Sequence, residues 1–157
     1  TRTVEIFESF VQFAIKSDMQ IVAISGKNEK MKLAFENVVN EHNCHNNIKV
    51  LEFTNKVPEL MSISNLVVTK PGGMTTTESL ASHLPMVIIN PIPGQEEENA
   101  EFLESKGVGI WIKKDSNIND VIYSLFKDPN KLQIMKKNTE LLANPNSTRD
   151  ICQILLK

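Results

Sequence analysis

Residues 66–81 read LVVTKPGGMTTTESLA: a short apolar run, a proline, two glycines, then a hydroxyl-rich stretch carrying a carboxylate at Glu78. Leu66, Val67 and Val68 have the length and branching of a buried strand, and from Met74 onward no further breaker interrupts a helix until Pro85. Gly72 and Gly73 let a ligand approach the backbone with no side chain in the way, and the first N–H groups of the following helix have no partner within the helix. Such a turn is a place for an anion. Thr75, Thr76 and Thr77 can add hydroxyl donors, while Glu78, one turn in, suits a sugar diol better than a phosphate. Together they point to a nucleotide with a ribose. The competing reading is a plain strand-to-helix turn in which glycine satisfies geometry and a threonine caps the helix, and this stretch alone does not decide between the two.

Working outward, the same alternation recurs. Helices are predicted over about 3–17, 29–40, 58–62, 74–83, 96–105, 117–126, 129–143 and 146–156, with strands over 21–25, 48–53, 66–69, 86–90 and 108–112. Short apolar runs alternating with helices predict an α/β fold, a doubly wound parallel sheet with right-handed crossovers, in a single domain over residues 1–157. Ligands in such sheets bind at the carboxyl ends of the strands. The loop after Thr69 and the loop after Asn90 both leave from ends of that kind. The second loop opens PIPGQEEENAEFL, residues 91–103, where Gln95 and Asn99 can donate and accept and Glu96 can accept from several hydroxyls. A phosphate is a poor guest beside Glu96, Glu97 and Glu98; a neutral hexose is a good one. The two loops therefore divide a nucleotide-sugar, the glycine turn holding its diphosphate and the acidic loop its carbohydrate. For Glu97 and Glu98 the plainer role, complementing a helix dipole, suffices.

Composition narrows the remaining classes. With 41% apolar residues the chain can bury a core without metal or disulfide, and Cys44 and Cys152 follow no disulfide pattern. Seventeen basic and nineteen acidic side chains are mixed along the sequence for a net charge of −2, so there is no basic stripe for nucleic acid. No apolar run approaches the roughly 18 residues that cross a bilayer, and the N-terminus lacks the order of an export signal, which predicts a soluble, cytoplasmic chain. His42, Cys44 and His45 lie close together but with the wrong spacing for zinc, and a solvated loop is the better reading. His83, followed by Leu84 and Pro85, reads as a helix end rather than a base, and Asn146 with Thr148 as a glycosylation match of little weight. No serine or cysteine has an arrangement that would recruit it as a nucleophile.

With SGKNEKM at 25–31, VLEFTNKVPELM at 50–61, LVVTKPGGMTTTESLA at 66–81 and LPMVIINPIPGQEEENAEFL at 84–103, the sequence resembles the C-terminal, donor-binding domain of the processive diacylglycerol glycosyltransferases. That group includes bacterial diacylglycerol glucosyltransferases and plant monogalactosyldiacylglycerol synthases. More distantly the chain looks like the glycosyltransferase that adds N-acetylglucosamine to lipid I. The resemblance implies a Rossmann-like sheet forming the C-terminal half of a GT-B enzyme. It implies that Phe53 and Thr54 present backbone to uracil, that Gly72, Gly73, Met74 and Thr75 face the diphosphate, and that Glu78 holds the ribose. Gln95 and Glu96 would read the transferred sugar with Asn99 close behind, and Lys27 and Asn28 would border the nucleotide. It further implies metal-independent, inverting transfer of a hexose, glucose by preference, from UDP to diacylglycerol by a parent enzyme peripheral to the cytoplasmic membrane.

Family members begin this domain with a strand and a glycine-rich loop ahead of the first helix, whereas Thr1 already stands at that helix. The expectation is thus a donor domain lacking its first strand and the N-terminal domain that holds the acceptor and the catalytic base, inactive alone and with no catalytic residue of its own. A glycosyltransferase of the lipid I N-acetylglucosaminyl type, a non-hydrolysing UDP-sugar epimerase and a nucleotide-binding module without catalysis are the other readings of the same pattern.

Overall fold

A computed structural model describes residues 1–156. The chain divides into two compact units, Thr1–Val57 with Asp115–Leu125, and Pro58–Lys114 with Phe126 onward.

In the first unit, α1 (Arg2–Ala14) buries Ile6, Phe7, Phe10, Val11 and Ala14, a spacing that lies on one helical face. β1 (Ile21–Ile24) runs parallel to β2 (Ile48–Leu51), Ile21 opposite Ile48 and Ile24 opposite Leu51. Between them, α2 (Glu29–Glu41) starts at Asn28, whose side chain accepts the Met31 N–H at 3.0 Å. Phe7 and Phe35, ring centroids 4.4 Å apart, centre a core with Val11, Ala23, Val38, Val39 and Ile48. The sequence predicts β2 as far as Phe53, but the strand stops at Leu51. Its partner stops at Ile24, the Ser25 N–H to Leu51 carbonyl bond at 2.9 Å closes the ladder, and Glu52 and Phe53 pass into a loop. α6 (Ile118–Lys127), most of which belongs to this unit, buries Ile122 and Leu125.

The second unit is a three-stranded parallel sheet in the order β3-β4-β5, built from Val67–Thr69, Met86–Ile89 and Gly109–Ile112. Central β4 is buried along its whole length, which is why Met86, Val87, Ile88 and Ile89 form an unbroken apolar run instead of alternating. Fully burying each such side chain contributes about 1.5–3 kcal/mol. Short α3 (Val57–Ile63) leads toward β3; α4 (Gly73–Ala81) and α5 (Gln95–Ser105) form the crossovers; α7 (Pro129–Leu142) and α8 (Ser147–Leu155) follow. α7 begins as a proline at the first helical turn permits, with Asp128 accepting the Asn130 N–H at 2.9 Å. The parallel strands read from sequence are therefore present, as one two-stranded and one three-stranded ladder.

Three helices enter their next loop through the same turn. Asn43, His83 and Gly107 take φ of 50°, 52° and 64°, and the following N–H groups of Cys44, Leu84 and Val108 bond back to Val39, Ser79 and Leu103. This is the Schellman arrangement, and Cys44, Leu84 and Val108 are all buried, so each turn aims the chain at its strand from inside the core.

Gly109 is required by packing. A Cβ there would lie 2.8 Å from Ile88 Cδ1 and 3.1 Å from Leu103 Cβ. Gly109→Ala should lower stability by about 1–3 kcal/mol, read as a lower urea midpoint with unchanged slope; an unchanged midpoint would refute the tight packing of β5 on β4.

Candidate functional site

The site is set by the pairing of β3 with β4. Val67 lies opposite Met86 and Thr69 opposite Ile88 in parallel register, so both strands end at the same edge and their outgoing loops are neighbours. One hydrogen bond ties the two loops, and one carboxylate comes close. The Asn99 side-chain amide donates to the Pro71 carbonyl at 2.8 Å, and a Cβ built on Gly72 would lie 3.8 Å from Glu96 Oε1. The glycine turn and the acidic loop therefore share one rim.

At the first lip, Gly72 is the N-cap of α4 and places no side chain over the helix end; the first helical bond is Thr76 N–H to Gly72 carbonyl at 2.9 Å. The amides of Gly73, Met74 and Thr75 come before that bond, so they are the donors the helix itself leaves unpaired. Gly72 has φ −65°, which any residue adopts, and Gly73 is outside the left-handed region too. Nothing lies within 4 Å of a Cβ on Gly73, and on Gly72 only the Glu96 oxygen at ordinary contact distance. Neither glycine is needed to fold the turn. Neither backbone angle nor crowding therefore accounts for glycine at these two positions.

The hydroxyl row is thinner than the sequence implies. Thr77 Oγ1 donates back to the Gly73 carbonyl at 2.9 Å, as threonine in a helix commonly does four residues back, and Thr76 Oγ1 is buried. Thr75 is the remaining member of the row, half-buried at the helix start, and Met74 and Glu78 are exposed beside it.

At the second lip, α5 starts after Gly94, whose φ of 100° and ψ of −127° do demand glycine. Glu96 Oε2 accepts the Ile92 N–H at 2.7 Å, which fixes the carboxylate with its other oxygen toward Gly72. Gln95 is exposed at the first helical position. Asn99, expected behind the sugar-reading pair, also ties to the glycine loop through Pro71. Sequence reasoning missed the two backbone groups that orient this rim, the Pro71 carbonyl and the Ile92 N–H. Their only trace in the sequence is that Glu96 and Asn99, three apart on α5, share a face.

The remaining sequence-predicted residues form a patch of the first unit. Gly26 has φ 62° and turns the chain from β1 to α2, and the Lys27 ammonium lies 5.9 Å from the centroid of the exposed Phe53 ring. An open hollow of about 620 Å³ is lined by Ser25, Lys27, Asn28, Glu29 and Lys30. Thr54 Oγ1 accepts the Lys56 N–H at 3.1 Å, and Lys32 pairs with Glu52, next to Phe53. That hydrogen bond raises the Lys32 pKa and holds the Glu52 carboxyl below its usual range. His42, Cys44 and His45 do not converge. His42 Nε2 sits 3.3 Å from Glu8, Cys44 is buried with its thiol pushed up by desolvation, and His45 is exposed. His83 ends α4 in the left-handed turn, as its position before Leu84 and Pro85 predicts.

The sequence profile of the family described as "Glycosyltransferase family 28 C-terminal domain" matches residues 5–153. Among curated proteins, the processive diacylglycerol beta-glucosyltransferase of Bacillus licheniformis is 37% identical over 147 residues, 94% of this chain and 37% of the relative. The chain thus spans little more than a third of the length of the relatives it matches. Among solved structures, MurG of Acinetobacter baumannii superposes with a TM-score of 0.73 at 18% identity, over 97% of this chain and 44% of that one. A UDP-N-acetylglucosamine 2-epimerase superposes at 0.71 and 15% identity, over 99% of this chain and 41% of that one. These likenesses agree with a Rossmann-like, C-terminal GT-B fold; at such identity they concern the fold alone.

Proposed function

Because the chain belongs to the glycosyltransferase family 28 C-terminal domains, we propose that its rim binds a UDP-hexose as donor for transfer of the sugar, glucose, to diacylglycerol. The observation that carries the reading is the room above Gly73, where a Cβ would meet nothing within 4 Å and a diphosphate would fit. The phosphates lie over the amides of Gly73, Met74 and Thr75, and Glu78 takes the ribose diol. Glu96 keeps them on that side. A phosphate about 5 Å from its carboxylate would be opposed by about 3 kcal/mol at an effective dielectric near 20. Neutral hydroxyls are not opposed, so Gln95 and Glu96 face the hexose. Lys27, Asn28, Phe53 and Thr54 lie in the first unit and form a separate patch of their own.

In the transfer, the acceptor oxygen displaces UDP from the anomeric carbon with inversion. Negative charge grows on the leaving diphosphate, where oriented amides stabilise it without a resident metal. The base that removes the acceptor proton is assigned to the length of the relatives that this chain does not span. Diacylglycerol resides in a bilayer, so this reading puts the transfer at a membrane surface; among the described residues no helix is long and apolar enough to cross one. The epimerase shares the fold; the 37% identity to a glucosyltransferase favours transfer.

The test is a titration of UDP and UDP-glucose into the full-length polypeptide and its Gln95→Ala variant. The variant should bind UDP-glucose about 5- to 15-fold more weakly, the effect of one lost hydrogen bond of about 1–1.5 kcal/mol, and bind UDP unchanged. Equal loss of both ligands would refute the division of the rim, and failure of the wild type to bind either would refute the donor site.

A further inference from the structure

Asn99 is half-buried on α5, and its side-chain amide reaches across to the carbonyl of Pro71, the residue immediately before the N-cap of α4. Proline has no N–H, so the loop at that point can be held only through its carbonyl or its ring. On the same face of α5, Glu96 is fixed by the Ile92 N–H and points its second oxygen at Gly72. One helix thus carries both a group directed into the rim and a group that grips the opposite loop.

From this we infer that Asn99 is a positioning residue: it sets the spacing between the glycine turn and the start of α5, and so the fit of the diphosphate at a lip that it does not touch. The inference rests on the donor reading above, but it assigns Asn99 a different task from Gln95. A side chain that touches only sugar affects only sugar-bearing ligands. A side chain that holds the Pro71 carbonyl affects every ligand whose phosphates sit over Gly73, UDP included. Left without its partner, the carbonyl has to turn toward solvent and takes Gly72 with it.

The experiment uses full-length Asn99→Ala and Asn99→Asp, the second keeping the shape while facing the carbonyl with an acceptor-only group. Both variants should raise the Kd for UDP and for UDP-glucose by the same factor, roughly 5- to 30-fold, the range of a lost hydrogen bond plus an unpaired carbonyl. Without ligand, amide hydrogen exchange across residues 72–78 should quicken in both variants while that of β4 stays as in wild type. UDP affinity unchanged with UDP-glucose weakened would mean direct sugar contact and overturn the proposal. A lowered urea midpoint with both affinities and the local exchange unchanged would mean a purely structural bond and overturn it too. If wild type fails to bind UDP, the donor reading falls and the exchange arm alone decides: faster exchange across 72–78 upholds the tie, and wild-type exchange there overturns it.

Discussion

Gly73→Ala is expected to remove most donor affinity while leaving the protein as stable as wild type, or more so. The new methyl meets no atom of the chain within 4 Å, and the backbone there lies outside the left-handed region. Replacing glycine by alanine at a compatible position stabilises by about 0.4–1 kcal/mol, mainly by restricting the unfolded chain. A ligand seated on the Gly73 amide has no such room. Forcing a methyl into an occupied contact costs about 1–3 kcal/mol, roughly 5- to 150-fold in Kd for UDP. Urea unfolding and UDP titration of the same preparation give the two numbers. Lower stability with unchanged affinity would return the glycine to a folding role and remove the main support for the anion lip. Gly109→Ala is the internal contrast, since there the clash is with Ile88 and Leu103 and stability falls.

Glu78→Ala should weaken every uridine diphosphate by a similar factor, whatever sugar it carries. Glu78 is exposed on α4 and buries nothing, so the midpoint of unfolding should move little. A carboxylate that accepts from two ribose hydroxyls makes charge-assisted bonds worth about 1.5–3 kcal/mol, or roughly 10- to 150-fold in affinity. The clean control is UDP lacking both ribose hydroxyls, whose binding should not respond to the substitution. A response as large as that of UDP would show that Glu78 acts on something other than the diol.

How much of this was legible depended on how local each cause is. The Leu66–Val68 run, the glycine pair and Pro85 bracket one strand and one helix by themselves. The end of β2 was not legible, because Glu52 and Phe53 leave the strand only where β1 runs out of residues to pair with. Nor was the commitment of the Thr77 hydroxyl to Gly73, since the same hydroxyl could equally have faced outward. Within the rim, the residue types that could serve a nucleotide-sugar were readable. That Asn99 holds a carbonyl and Glu96 an amide was not, because both partners are backbone atoms placed by tertiary structure.

Gly94 and Gly73 ask different things of the chain. At 94 the chain bends with φ 100°, so the absence of a side chain is a requirement of the architecture and would persist in a descendant that had given up its substrate. At 73 the architecture is indifferent, and a descendant released from its substrate would be free to drift there at no thermodynamic penalty. The first position therefore reports on inheritance of shape, and the second on whether the proposed donor site is retained.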